Sequence, residues 1–414
     1  MLYQLEPTAA QPDKSLRALA QVRDGKLAVA RRPPDGSAEL TAAIWPIEKL
    51  TDNEAPPDAH ALKFFARGVA REQYTRLPEA ASAWRVVYTY PVKDAHPSIA
   101  VIDESILELA MVSSALIWDS QVRLLYSPDY FNKERVNAAN ANSSVYRQVT
   151  IHAYQSGDHV RAVSLGMGRF GQPDLTIEQL SWGTQKSLLS LMNGIAQMLI
   201  EGSKPDATGH IDFDVSSIRN ETVRSALEKD RIGNAPLKGR FQLLTTTPAE
   251  GDAKNALMAI RFDGYTGNDE FARQEDAISQ VFGWHDEIKR IEHTDELGAA
   301  SKVAAEKLPQ LQKVFAAGLA PGEYIQIKAP FPTPAGTEEW MWVEITEWKA
   351  DAIHGLLRNE PFDIPDLHAG QKVTVELAKV FDYLHTFPDG RQEGNSTGAI
   401  IEKMQGTTEK AGTD

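Results

Sequence analysis

The sequence predicts an α+β, multi-domain protein with mainly antiparallel sheets and packed helices, ending in a small β sheet plus a helix. Three observations predict it. The chain of 414 residues exceeds one ordinary core, since domains of about 100–200 residues are usual. Short strand-like runs bounded by turn residues recur along it. Two stretches, 184–201 and 294–317, carry apolar residues at helical spacing.

Taken in order, 18–22 and 26–30 flank Asp24-Gly25 and suit a hairpin. Residues 31–57 are rich in Pro, Asp and Gly and read as loop, with an apolar island at Ile44-Trp45. Strands are expected at 84–90, 115–119, 121–125, 146–154, 161–165 and 174–180, and a helix at 104–114. The helix at 184–201 places Leu188, Leu191, Met192, Ile195, Met198 and Leu199 on one stripe. Gly202-Ser203-Lys204-Pro205 reads as a linker, so the first unit spans 1–205. Residues 206–290 hold strands at 211–215, 240–245 and 256–262 and helices at 220–229 and 271–282. They form either a small middle region or the second half of the first unit. The last unit, 291–404, opens with the helix at 294–317, which contains Pro309 and stops at Gly318. Strands follow at 323–329, 339–348, 352–357, 372–377 and 381–386. Pro388-Asp389-Gly390 marks a turn, Ser396 or Thr397 caps a closing helix, and 405–414 read as a disordered tail.

Hydrophobic residues make up 42% and charged residues 24%, which is globular usage. The formal charge of -14, without a basic stripe, argues against nucleic acid as a partner. The absence of cysteine excludes disulfides, thiolate metal sites and cysteine nucleophiles. The first residues lack the basic-then-apolar pattern of a signal peptide. The apolar stretch 99–118 is broken by Asp103, Glu104 and Glu108, so no membrane span is expected and the cytoplasm is the expected location.

Three motifs bear on chemistry. Gly166, Gly168 and Gly171 match G-x-G-x-x-G, but a turn into another strand follows instead of the helix that would hold a pyrophosphate. The match reads as a glycine-rich β connection, and no cofactor is expected. His210, Asp212 and Asp214 alternate with Ile211, Phe213 and Val215 and share one strand face. They are competent metal ligands, although a strand with one wet face predicts the same pattern, and no metal is assigned. His285, Asp286 and Glu287 are adjacent rather than one-faced. At 339–348, Met341, Val343 and Ile345 fall on one side, and Trp340, Trp342, Glu344, Thr346 and Trp348 on the other. Indoles around a carboxylate suit a binding surface. A strand covered on both faces suits the same residues. Asn359 and Glu360 lie on the following turn and complete the candidate binding set. No nucleophile elbow, phosphate-cradling lysine loop or H-E-x-x-H helix is present, so no catalytic residue is assigned.

Several C-terminal motifs occur in order: Ile325-Gln326-Ile327-Lys328-Ala329-Pro330, Glu338-Glu339-Trp340-Met341-Trp342-Val343, Gly355-Leu356-Leu357, Asn359-Glu360-Pro361, the run from Asp366 to Val375, and Phe381-Asp382-Tyr383. In this order they resemble the YegJ-like family, a bacterial domain of unknown function, over roughly residues 291–404. The resemblance implies a helix before a strongly bent sheet. Trp118-Asp119, the run from Leu124 to Pro128, and Gly166, Met167, Phe170, Gly171, Pro173 and Asp174 resemble a companion domain, also uncharacterised. The family brings no catalytic residue. It implies a neighbourhood of bacterial immunity and conflict-system proteins.

The resulting expectation is a non-catalytic cytoplasmic protein-binding protein, of the immunity type that neutralises a toxin or effector, with a basic protein partner and no membrane. The alternatives are a small-molecule or metal-dependent enzyme using His210, Asp212 and Asp214, or Glu344 beside Trp342, and a structural docking module at 291–414. Under the first reading, Trp342→Ala is expected to weaken partner capture with an unchanged circular dichroism spectrum. Global unfolding would mark the indole as core.

Overall fold

The computed structural model describes residues 1–6, 12–22, 26–36, 38–47, 58–157, 159–249, 252–283, 295–320 and 322–400. The turn at Asp24-Gly25, the residues His285, Asp286 and Glu287, and the tail 405–414 lie outside them. The fold is multi-domain α+β, built on three mostly antiparallel sheets that follow one another along the chain.

Sheet 1 contains β1 (Leu2–Gln4), β2 (Ala28–Ala30), β3 (Thr41–Ile47), β4 (Ala66–Arg67), β5 (Ser82–Thr89), β6 (Ala115–Asp119) and β7 (Leu124–Tyr126), in the order β2-β3-β5-β1-β6-β7-β4. One face packs on α1 (Pro12–Val22) and α4 (Ala95–Ser113). The other meets α2 (Ala59–Phe65) and α3 (Arg71–Thr75). Residues 18–22 are therefore the end of a helix and not a strand. Buried Leu16 and half-buried Leu19 and Ala20 all turn towards the core, a three-to-four spacing that outweighs local strand propensity. The island at Ile44-Trp45 is not loop but the middle of β3. Pro46 is tolerated there because β2 pairs only with Thr41–Ala43, which leaves the Pro46 side of β3 an edge with no bond to lose. Helix α4 begins well before 104, with Pro97 in its first turn, where a missing N–H costs nothing. It stops at Ser114 in the left-handed conformation.

After α5 (Pro128–Phe131) the chain continues as a π-helical turn, Asn132–Val136, and then α6 (Val145–Gln148). The expected strand at 146–154 is thus helix first and strand second. Sheet 2 holds β8 (Thr150–Ser156), β9 (His159–Leu165), β10 (Asp174–Leu180), β11 (His210–Asp214), β12 (Lys238–Thr246) and β13 (Leu257–Arg261), in the order β11-β12-β13-β10-β9-β8. Helices α7 (Gln185–Ile200), α8 (Glu221–Lys229) and α9 (Glu270–Phe282) cover one face. The six apolar residues of the α7 stripe are all buried. Strand β10 pairs in parallel with β13, so residues on both sides of Gly202–Pro205 share one sheet and one core. The Gly202 segment is a helix stop: Ser203 N–H donates to Met198 O and Gly202 N–H to Leu199 O, a Schellman pair made possible by the positive φ of Gly202.

Sheet 3 contains β14 (Tyr324–Pro332), β15 (Glu338–Trp348), β16 (Ala352–Leu357), β17 (Lys372–Glu376), β18 (Asp382–Thr386) and β19 (Gln392–Gly394), in the order β17-β16-β15-β14-β18-β19. Helix α10 (Asp295–Ala316) runs through Pro309 and lays Ala304, Leu308 and Leu311 on Ile325, Ile327, Met341 and Val343. The turn at Pro388-Asp389-Gly390 joins β18 to β19, and residues 396–400 are helical.

The glycine-rich run joins β9 to β10 through a short 3-10 turn at Met167–Phe170, with no long helix at its end. Gly166 sits at φ +114, and a Cβ there would come within 2.7 Å of the Gln148 carbonyl and 2.8 Å of Val122. Gly166→Ala is expected to lose about 1–3 kcal/mol of folding free energy in urea titration. A loss within error would show that the turn relaxes freely.

Candidate functional site

Strand β15 places the sequence-marked indoles in two different environments. Trp340 and Trp342 are half-buried on the sheet face away from α10. Trp340 lies 4.4 Å from the Phe381 ring, and the Lys328 ammonium sits 5.7 Å from the Trp342 centroid. Trp348 is not on that face. The pairing with β16 slips between Ile345 and Glu347, and the extra residue Thr346 turns Trp348 back onto the α10 core, against Phe315. Glu344 is 2% exposed and is no part of an open surface.

Glu344 clamps sheet 3 to sheet 2. Its Oε1 accepts from the Trp182 N–H at 2.8 Å and its Oε2 from the Gly183 N–H at 2.9 Å, just before α7, where backbone donors lack helical partners. Arg358, also buried, reaches Ser181 Oγ at 2.8 Å, lies 3.4 Å from Glu275, and stacks over Phe271. Asn359 and Glu360 support the loop between β16 and β17. Asn359 Oδ1 accepts from the Trp342 N–H at 2.6 Å, and Glu360 Oε2 from the Ala369 N–H at 2.9 Å.

The polar face of β11 is cross-linked to its neighbour. Asp212 bonds Arg240 at 2.8 Å and Asp214 lies 2.9 Å from Lys238, each directly opposite in the β11–β12 register. His210 Nδ1 is 2.7 Å from Thr208 Oγ1. Carboxylates held by lysine and arginine in this way read as ordinary cross-strand pairs. Among the described residues, no group of three His, Cys, Asp or Glu could hold a metal ion.

The most site-like region lies elsewhere, where sheet 1 meets the glycine turn of sheet 2. A cavity of about 400 Å³ opens there between β5, β6, α4 and the π turn. Its walls are polar and apolar in about equal measure, the apolar part formed by Val86, Ile99, Ile102, Ile106, Ile117 and Phe131. Ser120, Gln121 and Val92 stand at the exposed rim. One side is a buried lattice of charges. Arg135, on the π turn, grips Asp103 of α4 through Nε at 3.2 Å and Nη2 at 3.0 Å. Arg169, on the glycine turn, grips both oxygens of Asp119 with Nη2 at 2.9 Å. Gln148 ties the pairs together: its Oε1 accepts from Arg135 at 2.5 Å and Arg169 at 3.0 Å, and its amide donates to Asp103 at 2.7 Å.

Burial alone would raise the Asp119 carboxyl, but Arg169 and then Arg135 outweigh it and hold it well below the usual carboxylate range. Burial likewise opposes the charge on Arg135, and Asp103 more than offsets this. Asp119 and Arg135 therefore stay charged and act as fixed charges, with no proton to transfer. The sequence reading did not assemble this cluster. Its trace was an acid, Asp103, inside an apolar helix, a residue noted only as barring a membrane span.

Burial raises the Glu344 carboxyl, and Arg358 with the Trp182 and Gly183 N–H groups offsets only part of the rise. The folded chain therefore keeps this proton to higher pH than the unfolded chain. Glu344 favours folding most below the ordinary carboxylate pKa, and that contribution is lost as pH rises through the folded value. Glu344→Gln cannot titrate. Its stability, from urea titrations across that window, is expected to fall less steeply with pH than the wild type. Identical slopes would show that the carboxylate does not titrate with folding.

No helix among the described residues is long and apolar enough to cross a membrane. Searches of curated proteins and of solved structures gave no match. Residues 316–413, which run from the end of α10 through sheet 3, match the model of a family described as an uncharacterised protein conserved in bacteria, DUF2314.

Proposed function

We propose that this protein is a non-catalytic binding protein that holds a small ligand in the cavity between sheets 1 and 2. The observation that carries the reading is a space of about 400 Å³ lined in about equal measure by apolar side chains and by a polar cluster held together by its own ion pairs and hydrogen bonds. Preformed apolar chambers with a few fixed polar groups are the usual form of a ligand site. Catalysis needs a group that can gain or lose a proton or attack a substrate. The acids beside this cavity are instead locked in bidentate ion pairs.

A second reading, a protein partner docking on the C-terminal sheet, is favoured by the partial exposure of Trp340 and Trp342. Under it the C-terminal unit is YegJ-like, with its companion domain ahead of it, and the chain neutralises a toxin or effector in the cytoplasm. The ordered motifs of the sequence support that assignment.

The cavity reading is tested with prodan, an uncharged naphthalene dye whose emission shifts to the blue in apolar surroundings. Saturable binding at one site per chain is expected, and Ile106→Trp, which fills the cavity, is expected to weaken it at least about tenfold. Trp342→Ala leaves it unchanged. Equal binding by the filled variant would overturn the assignment.

A further inference from the structure

We infer that the cavity selects an uncharged ligand, an apolar or aromatic body carrying a hydroxyl, carbonyl or amide, and rejects organic anions and cations of the same shape. The inference rests on the reading of this cavity as a ligand site.

Two guanidinium groups and two carboxylates face each other and their charges cancel, and burial lowers the nearby Met1 α-ammonium to about 6, so that it is largely uncharged at neutral pH. Each carboxylate oxygen of Asp103 already accepts from Arg135, and Gln148 adds a second donor to one of them. Both oxygens of Asp119 accept from Arg169. Its Oδ1 also takes the Gln121 N–H and its Oδ2 the Arg135 Nη1. Arg169 gives its Nε–H to Gln121 Oε1 and one Nη1–H to Gln148 Oε1.

An anionic ligand at this end would have to draw a guanidinium away from a carboxylate that stays behind, buried and uncompensated. A cationic ligand would do the same to a guanidinium. Either exchange strands an ion in a poorly hydrated place, which costs more than the new contact returns. An uncharged ligand breaks nothing. Its body replaces water against Ile99, Ile102, Ile106 and Phe131, and its polar group faces the rim at Ser120 and Gln121, where partial hydration remains.

Naphthamide, naphthoate and naphthylmethylammonium share one ring system and differ in charge. Their binding to the full chain is measured by isothermal titration calorimetry at neutral pH, with Ile106→Trp as the control for location. Naphthamide is expected to bind at least about tenfold more tightly than either ion, and to lose its binding in Ile106→Trp. Binding sensitive to Ile106→Trp but led by naphthoate or naphthylmethylammonium would overturn the charge rule and leave the cavity as a ligand site. Binding of all three that Ile106→Trp does not alter, or no binding of any, would overturn the cavity assignment and this inference with it.

Discussion

The bidentate contact between Arg169 and Asp119 is the interaction on which the N-terminal two-thirds of the molecule depends. Asp119 ends the strand β6 of sheet 1, and Arg169 sits on the turn between two strands of sheet 2. Two sheets with separate cores are thus joined by an ion pair shielded from water. Such a pair is expensive to desolvate and holds only when its remaining hydrogen-bonding directions are filled. Arg135, Asp103 and Gln148 fill them, drawing in α4, the π turn and α6. The cavity is a by-product of this arrangement. Long polar side chains hold the sheets at a spacing that the surrounding isoleucines do not close.

The π turn fits that logic. A π turn inserts one residue into a helix and is found often at functional positions. Here it directs Arg135 inward between α4 and β6, where the preceding helix α5 alone is too short to reach. The glycine turn does the equivalent for Arg169, since Gly166 and Gly171 both adopt positive φ and let the chain reverse within the space of one 3-10 turn. Irregular backbone thus delivers both cations, while regular elements deliver both anions.

Periodicity made much of the fold legible. The α7 stripe, β6, β10 and β16 stand where the apolar spacing put them, because those segments bury one well-defined face. It misled at α1, where alternating small and apolar residues mimic a strand, and at β3, where proline suggested loop although the edge position removes its cost. The candidate site was legible only in fragments. Asp103, Asp119, Arg135, Gln148 and Arg169 are spread over 67 residues of chain, and nothing local marks them as neighbours. Glu344 looked like a surface acid because alternation predicts which face a side chain takes, and does not predict that another sheet will cover that face.

The single surplus residue at Thr346 has an evolutionary and engineering meaning. Ahead of it, odd-numbered positions of β15 feed the core. Beyond it, even-numbered ones do, and Trp348 is an anchor for α10. Excising Thr346 would put the whole strand in one phase with Trp348 still facing the core, whereas pairing Thr346 regularly with β16 would eject that indole and leave a hole beneath Phe315. A residue inserted or lost in the regularly paired part of this strand would exchange inside for outside beyond it in one step.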